Sequence, residues 1–285
     1  MGEPVFQEAG LGRWTEEETF EVTARHLGEY AAATNDPIPR HRAGEIAPPV
    51  FGIVPVFGAL VPAALSVAPP ELLGRLVHGK HDFRFHRPIL PGDRLVSRAK
   101  PVGFTAKPAG TTVAVRTETR REDGEPVNEQ WMTAFFRKVD AGRSVGHPAP
   151  PHRFDESLRA KPPAAEVTAH IDGDQTFRYA PASGDPMPIH LDEEMARMAG
   201  LPGIIVHGMC TMAFTSWALL TEFAGGDTRR LRRLAVRFAK PVLPGQDITV
   251  RMWRGAVSPQ GTTYSYETTA AGEAVIKDGL AVIAD

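Results

Sequence analysis

The chain has 285 residues, 42% of them hydrophobic and 23% charged, and carries a formal net charge of −2. This is the composition of a globular protein long enough for two domains of ordinary size, with no basic excess to attract a nucleic acid. A single cysteine, Cys210, excludes an intrachain disulfide and fits a reducing compartment, so a cytoplasmic protein is expected.

Met1 to Thr15 carries Glu3 and Glu8 and lacks an apolar core segment, unlike a signal peptide. The first patterned block is Tyr30-Ala31-Ala32-Ala33-Thr34-Asn35-Asp36-Pro37-Ile38-Pro39-Arg40-His41, which sets an acid and an imidazole five residues apart on a Pro-studded turn. Val50 to Ala68 has no charge and approaches membrane-spanning length, but Gly52, Pro55, Gly58 and Pro62 make it a buried helix bent or interrupted at its prolines. Strand candidates follow at Arg75 to His86, Arg94 to Val102, Thr111 to Arg121 and Pro126 to Lys138. His78, His81 and His86 fall on the first of these, where alternation splits them between faces. No ligand set accompanies them beyond Asp82, so no metal site is expected. Asp140 to Ala165, with Pro148, Pro150, Pro151, Pro162 and Pro163, reads as an extended surface linker.

The opening block returns as Tyr179-Ala180-Pro181-Ala182-Ser183-Gly184-Asp185-Pro186-Met187-Pro188-Ile189-His190, identical at seven of twelve positions. Leu191 to Ala199 reads as a short helix, with Asp192, Glu193 and Glu194 suited to its N-terminal dipole and Gly200 then Pro202 ending it. Val206 to Phe223 reads as a long buried helix, apolar nearly all round. Cys210 lies inside it with no oriented base nearby and reads as a buried structural thiol. Strands are expected at Arg232 to Lys240, Ile248 to Arg254, Thr262 to Thr269 and Glu273 to Ile283.

Two further blocks repeat. Arg84-Phe85-His86-Arg87-Pro88-Ile89-Leu90-Pro91-Gly92-Asp93 returns as Arg237-Phe238-Ala239-Lys240-Pro241-Val242-Leu243-Pro244-Gly245-Gln246, and Gly110-Thr111-Thr112 returns as Gly261-Thr262-Thr263. A duplicated domain follows: an N-terminal repeat over 1–139, a linker over 140–165 and a C-terminal repeat over 166–285. Each repeat is α+β, a long helix followed by strands whose short connections favour antiparallel pairing.

In this arrangement the chain resembles the hot-dog fold, and in particular the MaoC-like, (R)-specific enoyl-CoA hydratase (hydratase 2) family. Tyr179, Ser183, Gly184, Asp185, Pro188, Ile189, His190 and Ala196 fit that family's signature. The resemblance implies a double hot-dog and a hydro-lyase, hydrating trans-2-enoyl thioesters or dehydrating (R)-3-hydroxyacyl thioesters. It requires no cofactor. One group must handle the proton at C2, one must hold and activate water at C3, and one must stabilise charge on the thioester oxygen. Asp185 and His190 suit the first two roles, since histidine titrates near neutral pH and a carboxylate orients water. The resemblance implies that Gly208, opening the long helix, offers its N–H as the oxyanion hole, where a helix end adds positive charge. Tyr179, Ser183, Gly184, Met187, His207 and Met209 are expected to support the site or bind substrate.

Two departures stand out. Met187 replaces the family's asparagine, removing a polar contact and greasing the acyl pocket. The first copy has Ile38 there and reads Pro48 to Pro55 where a His-Gly pair should open its helix. The resemblance then implies that Asp36 and His41 are a relic or structural pair and that the N-terminal repeat makes room for the acyl chain. Arg229, Arg230, Arg232 and Arg233 are either a solvated strand edge or contacts for the phosphates of coenzyme A or a phosphopantetheine carrier. The partners expected are therefore an acyl thioester, no nucleic acid and no membrane; monomer and homodimer both stay open. The rival readings are a hot-dog thioesterase and a catalytically impaired acyl-thioester-binding or partner subunit.

Overall fold

The computed structural model describes residues Phe6 to Asp285; Met1 to Val5, which open the segment read as lacking a signal peptide, lie outside the described residues. In chain order the elements are β1 (Glu18–Glu21), α1 (Ala24–Ala33), α2 (Pro39–Arg42), α3 (Phe57–Leu65), β2 (Leu76–Phe85), β3 (Arg94–Lys107), β4 (Gly110–Arg121), β5 (Pro126–Arg137) and β6 (Val145–Gly146). The second half continues with β7 (Ala165–His170), α4 (Gln175–Ser183), α5 (Glu193–Met198), α6 (Gly208–Ala224), β8 (Leu231–Phe238), β9 (Asp247–Ser258), β10 (Gly261–Ala270) and β11 (Glu273–Ile283). Contacts divide the chain into two compact units. One gathers the described residues up to Phe20 with Pro55–Arg84 and Arg94–Pro151; the other gathers Glu21–Val54, Phe85–Asp93 and His152–Asp285.

The first unit is built on strands in the order β1-β3-β4-β5-β2, with β6 added to β3. β3, β4 and β5 pair antiparallel, and the register sets Phe104 opposite Val113 and Val115 opposite Met132. Alternation along β4 and β5 buries Val113, Val115, Ala134 and Phe136, and α3 packs its alanines and Leu60 on β3 and β4. Phe6 closes this core, 5.5 Å from both Phe104 and Phe136. β3 outruns the expected strand, running on past Pro101 through a register shift between Pro101 and Gly103. The apolar stretch of the first copy is broken as expected: a 3₁₀ segment, Pro49–Val56, precedes the nine-residue α3. His78 and His81 depart from strict alternation. They touch, Nε2 to Nδ1, at 3.1 Å, in a strand where His81, Asp82 and Phe83 are buried consecutively.

The second unit carries the order β8-β11-β10-β9-β7. The helix α6 runs 17 residues and contacts β8, β11, β9 and β7. Every residue from Met209 to Leu220 is buried. Two of its threonines are satisfied by the preceding turn, Thr211 donating to the His207 carbonyl and Thr215 to the Thr211 carbonyl at 3.1 Å, while the buried Ser216 hydroxyl has no partner among the described residues. Burying side chains such as Phe214, Leu219 and Leu220 contributes about 1.5–3 kcal/mol each, and Gly225 at φ 60 ends the helix in the left-handed region. No described helix is long and apolar enough to cross a membrane.

The segment read as a surface linker is anchored. His152, Phe154 and Leu158 are buried, Phe154 meets Trp253 edge-on at 5.1 Å, and Trp253 donates to the Lys161 carbonyl at 2.9 Å. Prolines keep it extended, but its apolar side chains dock, and Ala165 already opens β7 against β9. The helices α1 and α4 are further findings: each leads into one copy of the Asp–His block, which was read only as a turn.

Candidate active site

The α4 helix buries Thr176, Tyr179, Ala180 and Ser183, a stripe at spacings of three and four residues. It stops at Gly184, whose φ of 75 suits a residue without Cβ. The Ser183 hydroxyl accepts the Asp185 N–H at 3.3 Å, and Asp185 Oδ1 accepts the Met187 N–H at 3.1 Å. These bonds and the fixed φ of Pro186 and Pro188 set the turn that carries the acid. One 3₁₀ turn later His190, 8% exposed, donates from Nδ1 to the Ile205 carbonyl at 2.7 Å. A carbonyl only accepts, so the proton sits on Nδ1 and the lone pair of Nε2 is available.

His207 caps α6, and Gly208 is its first residue. The N–H of a first helical residue has no intrahelical acceptor and carries the positive end of the dipole. A Cβ on Gly208 would lie 3.2 Å from the Phe238 ring, so the close approach there calls for glycine. The His207 ring stacks on His190, with centroids 3.8 Å apart and planes 26° apart, and its Nε2 donates to the Asp185 main-chain carbonyl at 3.2 Å. Ligand-type atoms of Asp185, His190 and His207 lie within 4.8 Å of one another. Stacked rings send their in-plane lone pairs side by side rather than to a common point, so the group suits proton transfer better than tetrahedral ligation.

Burial dominates the electrostatics. It raises the Asp185 carboxyl above its ordinary value, partly opposed by His190 and the Met187 N–H. It lowers His190 below its ordinary value, partly opposed by the Ile205 carbonyl and Asp185. His207 is pushed down to about 3 by burial and by neighbouring His190. Asp185 thereby becomes a stronger proton acceptor, and both imidazoles are held neutral.

The first copy has the same turn with a different outcome. Asp36 Oδ1 accepts the Ile38 N–H at 2.8 Å, as Asp185 does from Met187. Its other oxygen takes the Nδ1 proton of His41 at 2.7 Å, and the Thr228 hydroxyl meets His41 Nε2 at 2.5 Å. Asp36 and His41 are 1% and 0% exposed, so this pair is satisfied and shut from water. The two copies also meet at Tyr30 and Tyr179, whose hydroxyls lie 3.1 Å apart, beside a network of Arg178, Asp172, Asn35 and Gln175.

Of the predicted residues, Asp185, His190, Gly208, Ser183, Gly184, Met187 and His207 come together at the turn and the start of α6. Met187 is half-buried and is tied to the acid through its main chain. Tyr179 spends its hydroxyl on Tyr30 and lies 4.9 Å from His207, a supporting position. Met209 is buried on α6. Within the basic run, Arg229 is clamped to Asp227 and Arg230 donates to the Ala284 carbonyl. Sequence reasoning missed the Ile205 carbonyl, a main-chain atom without a side-chain signal, and Thr228, brought to His41 across 187 residues.

Comparison with known proteins gives the family and the fold. Residues 156–274 match the MaoC like domain, and residues 9–130 match the FAS1-like, dehydratase domain region. A probable enoyl-CoA hydratase 2 from Dictyostelium discoideum is 27% identical over 73% of this chain and 70% of its own. The 3-hydroxyacyl-thioester dehydratase Y of Mycobacterium tuberculosis is 30% identical over 72% of this chain and 67% of its own. The chain spans only 39% of a Drosophila melanogaster peroxisomal multifunctional enzyme type 2, matched at 28% identity over 82% of this chain. The crystal structure of a MaoC-like dehydratase from Phytophthora capsici superposes with a TM-score of 0.84 at 24% identity, over 98% of this chain and 99% of that one. That likeness establishes the double hot-dog fold.

Proposed function

The chain belongs to the MaoC-like dehydratase family, and from that premise we propose that it is a hydro-lyase that hydrates trans-2-enoyl thioesters and dehydrates (R)-3-hydroxyacyl thioesters. The observation that carries this reading is the His190 imidazole. Its Nδ1 is committed to Ile205, which leaves Nε2 bare, and a ring nitrogen lies within 4.8 Å of the Asp185 carboxylate, next to His207, the residue that caps α6. In hydration, Asp185 accepts one hydrogen of the water and orients it. His190 Nε2 takes the other proton as the oxygen bonds to C3. The imidazolium then delivers that proton to C2, which returns both groups to their starting states. Charge that gathers on the thioester oxygen is met by the Gly208 N–H and the helix dipole. Such a donor is worth about 3–4 kcal/mol, and acid–base help about 10² to 10⁴ in rate. Asp36 and His41 take no part, because their hydrogen bonds are spent on each other and on Thr228.

The substrate handle in this proposal is coenzyme A or a phosphopantetheine carrier. Repeats over 1–139 and 166–285 joined by 140–165 remain its domain plan. Cytoplasmic placement rests on the lone thiol of Cys210, which burial pushes up and leaves unreactive. A homodimer belongs to the same proposal and is tested by light scattering at micromolar concentration. The reaction itself is tested by loss of the conjugated enoyl-thioester absorbance of crotonyl-CoA. Turnover by the wild type, abolished in Asp185→Asn and His190→Ala, is expected. Thiol release would move the reading to a thioesterase, and tight binding without turnover to a binding subunit.

A further inference from the structure

The two copies of the Asp–His block form a comparison within one molecule. Both acids accept the N–H two residues on, at 2.8 Å in the first copy and 3.1 Å in the second. In the first copy the histidine folds onto its acid, Nδ1 to Oδ2 at 2.7 Å. In the second copy a His190 ring nitrogen and an Asp185 carboxylate oxygen lie within 4.8 Å, but Nδ1 is bonded to Ile205 and, among the described residues, no hydrogen bond joins Asp185 to His190. What differs is the neighbour of the ring. No described ring stacks on His41, whose far nitrogen meets the Thr228 hydroxyl. His190 lies flat against the buried ring of His207.

We infer that His207 is a positioning residue whose stacked ring keeps His190 from closing onto Asp185, so that imidazole and carboxylate face a water rather than each other. This rests on the hydratase reading above. Three features support it. The stack blocks rotation of the His190 ring out of its bond to Ile205. The Nε2–H bond to the Asp185 carbonyl fixes the acid's main chain from the opposite side. And His207 immediately precedes Gly208, so one residue ties acid, base and oxyanion donor together. The choice of histidine is itself informative. With the proton on Nε2, Nδ1 is bare, and it is buried without a hydrogen-bond partner. A buried bare acceptor destabilises a fold, and phenylalanine would avoid it while packing equally well. Asparagine would keep the hydrogen bond but lose the stack. Only an imidazole gives both.

The test uses the full chain with His207→Ala, His207→Phe and His207→Asn, assayed with crotonyl-CoA and observed by 15N NMR of histidine, the His190 signal being assigned with His190→Ala. We expect kcat to fall about 10²-fold in His207→Ala with KM within about threefold, the loss typical of a reactive group misplaced by about 1 Å. His207→Phe, which keeps the stack, and His207→Asn, which keeps the bond, fall in between. In His207→Ala the His190 signal should move from a neutral ring protonated on Nδ1 to a protonated ring paired with Asp185. Wild-type kcat in a folded His207→Phe and His207→Ala, or a loss confined to KM, would overturn the inference. If His207→Ala does not fold, His207→Phe and His207→Asn decide it by the same criteria. Should the wild type prove inactive on enoyl thioesters, the hydratase reading fails, and the His190 signal in the folded variants still decides whether His207 holds the ring.

Discussion

Mild acid is expected to destabilise this protein strongly, and His207 should account for a measurable share. Its ring is 1% exposed and its pKa is pushed from the ordinary 6.5 to about 3. The folded state therefore refuses a proton that the unfolded chain accepts. Stability from this group is complete above pH 6.5 and is lost as the pH falls toward the folded value. At pH 5 the loss is about 2 kcal/mol. His78, lowered to about 4, and its partner His81, also lowered by burial, add a loss of the same sign. At pH 5 the losses from His207 and His78 alone approach about 4 kcal/mol, a large part of the 5–15 kcal/mol typical of a domain. Asp185 opposes them. Its folded value is raised, so the native state takes up that proton first and acid favours folding at this group. Because wild type and His207→Phe share Asp185, comparing the two isolates His207. Urea unfolding followed by circular dichroism at pH 7 and pH 5 is the assay. His207→Phe is expected to lose about 2 kcal/mol less than wild type between the two pH values. Equal losses would refute the claim that His207 is held neutral by burial.

Other substitutions separate structure from chemistry. Gly208→Ala sets a methyl 3.2 Å from the Phe238 ring, a crowding of a few tenths of an ångström. Melting should change little, since alanine favours helix, and the main-chain N–H is kept, so hydration should slow only by the room the methyl takes from the thioester; an unchanged rate would show that the substrate does not approach the Gly208 Cα closely. Tyr30→Phe and Tyr179→Phe should each cost about 1–3 kcal/mol by stranding one buried hydroxyl, and the double variant less than their sum. Additive thermal melts would show that the hydroxyls are not partners. Thr228→Val should cost about 1–2 kcal/mol by taking the hydroxyl from His41, with kcat untouched. A kcat loss matching that of Asp185→Asn would make the first copy part of the catalytic machinery.

The eight long strands and α6 were legible because their patterning is regular: alternation in Leu234, Val236 and Phe238, and an unbroken buried run in α6. The duplication was legible because turns tolerate little change where Pro and Gly fix the backbone. Helices α1 and α4 were readable and overlooked. Leu27, Tyr30 and Ala31, like Thr176, Tyr179, Ala180 and Ser183, mark a helical stripe, but Pro181 inside α4 drew attention to the turn. The docking of Phe154 and Leu158 could not be read among so many prolines, because its partner Trp253 lies almost a hundred residues on. The site was half legible. Asp185, His190 and Gly208 come from local motifs. The stack of His207 on His190 and the sealing of His41 by Thr228 depend on which way a ring turns, and that is settled by distant neighbours.

The meeting of Tyr30 with Tyr179 has an evolutionary consequence. In an assembly of two identical subunits, a tyrosine on the symmetry axis meets its own image, and every inherited change strikes both halves at once. Here the halves share one chain and mutate singly. One Asp–His pair could turn inward and become a rivet while its twin stayed open to solvent chemistry, without any intermediate losing both. A stable, unreactive thioester analogue titrated into this protein should therefore saturate at one equivalent per chain, where an ancestor of unfused repeats would have taken two per pair.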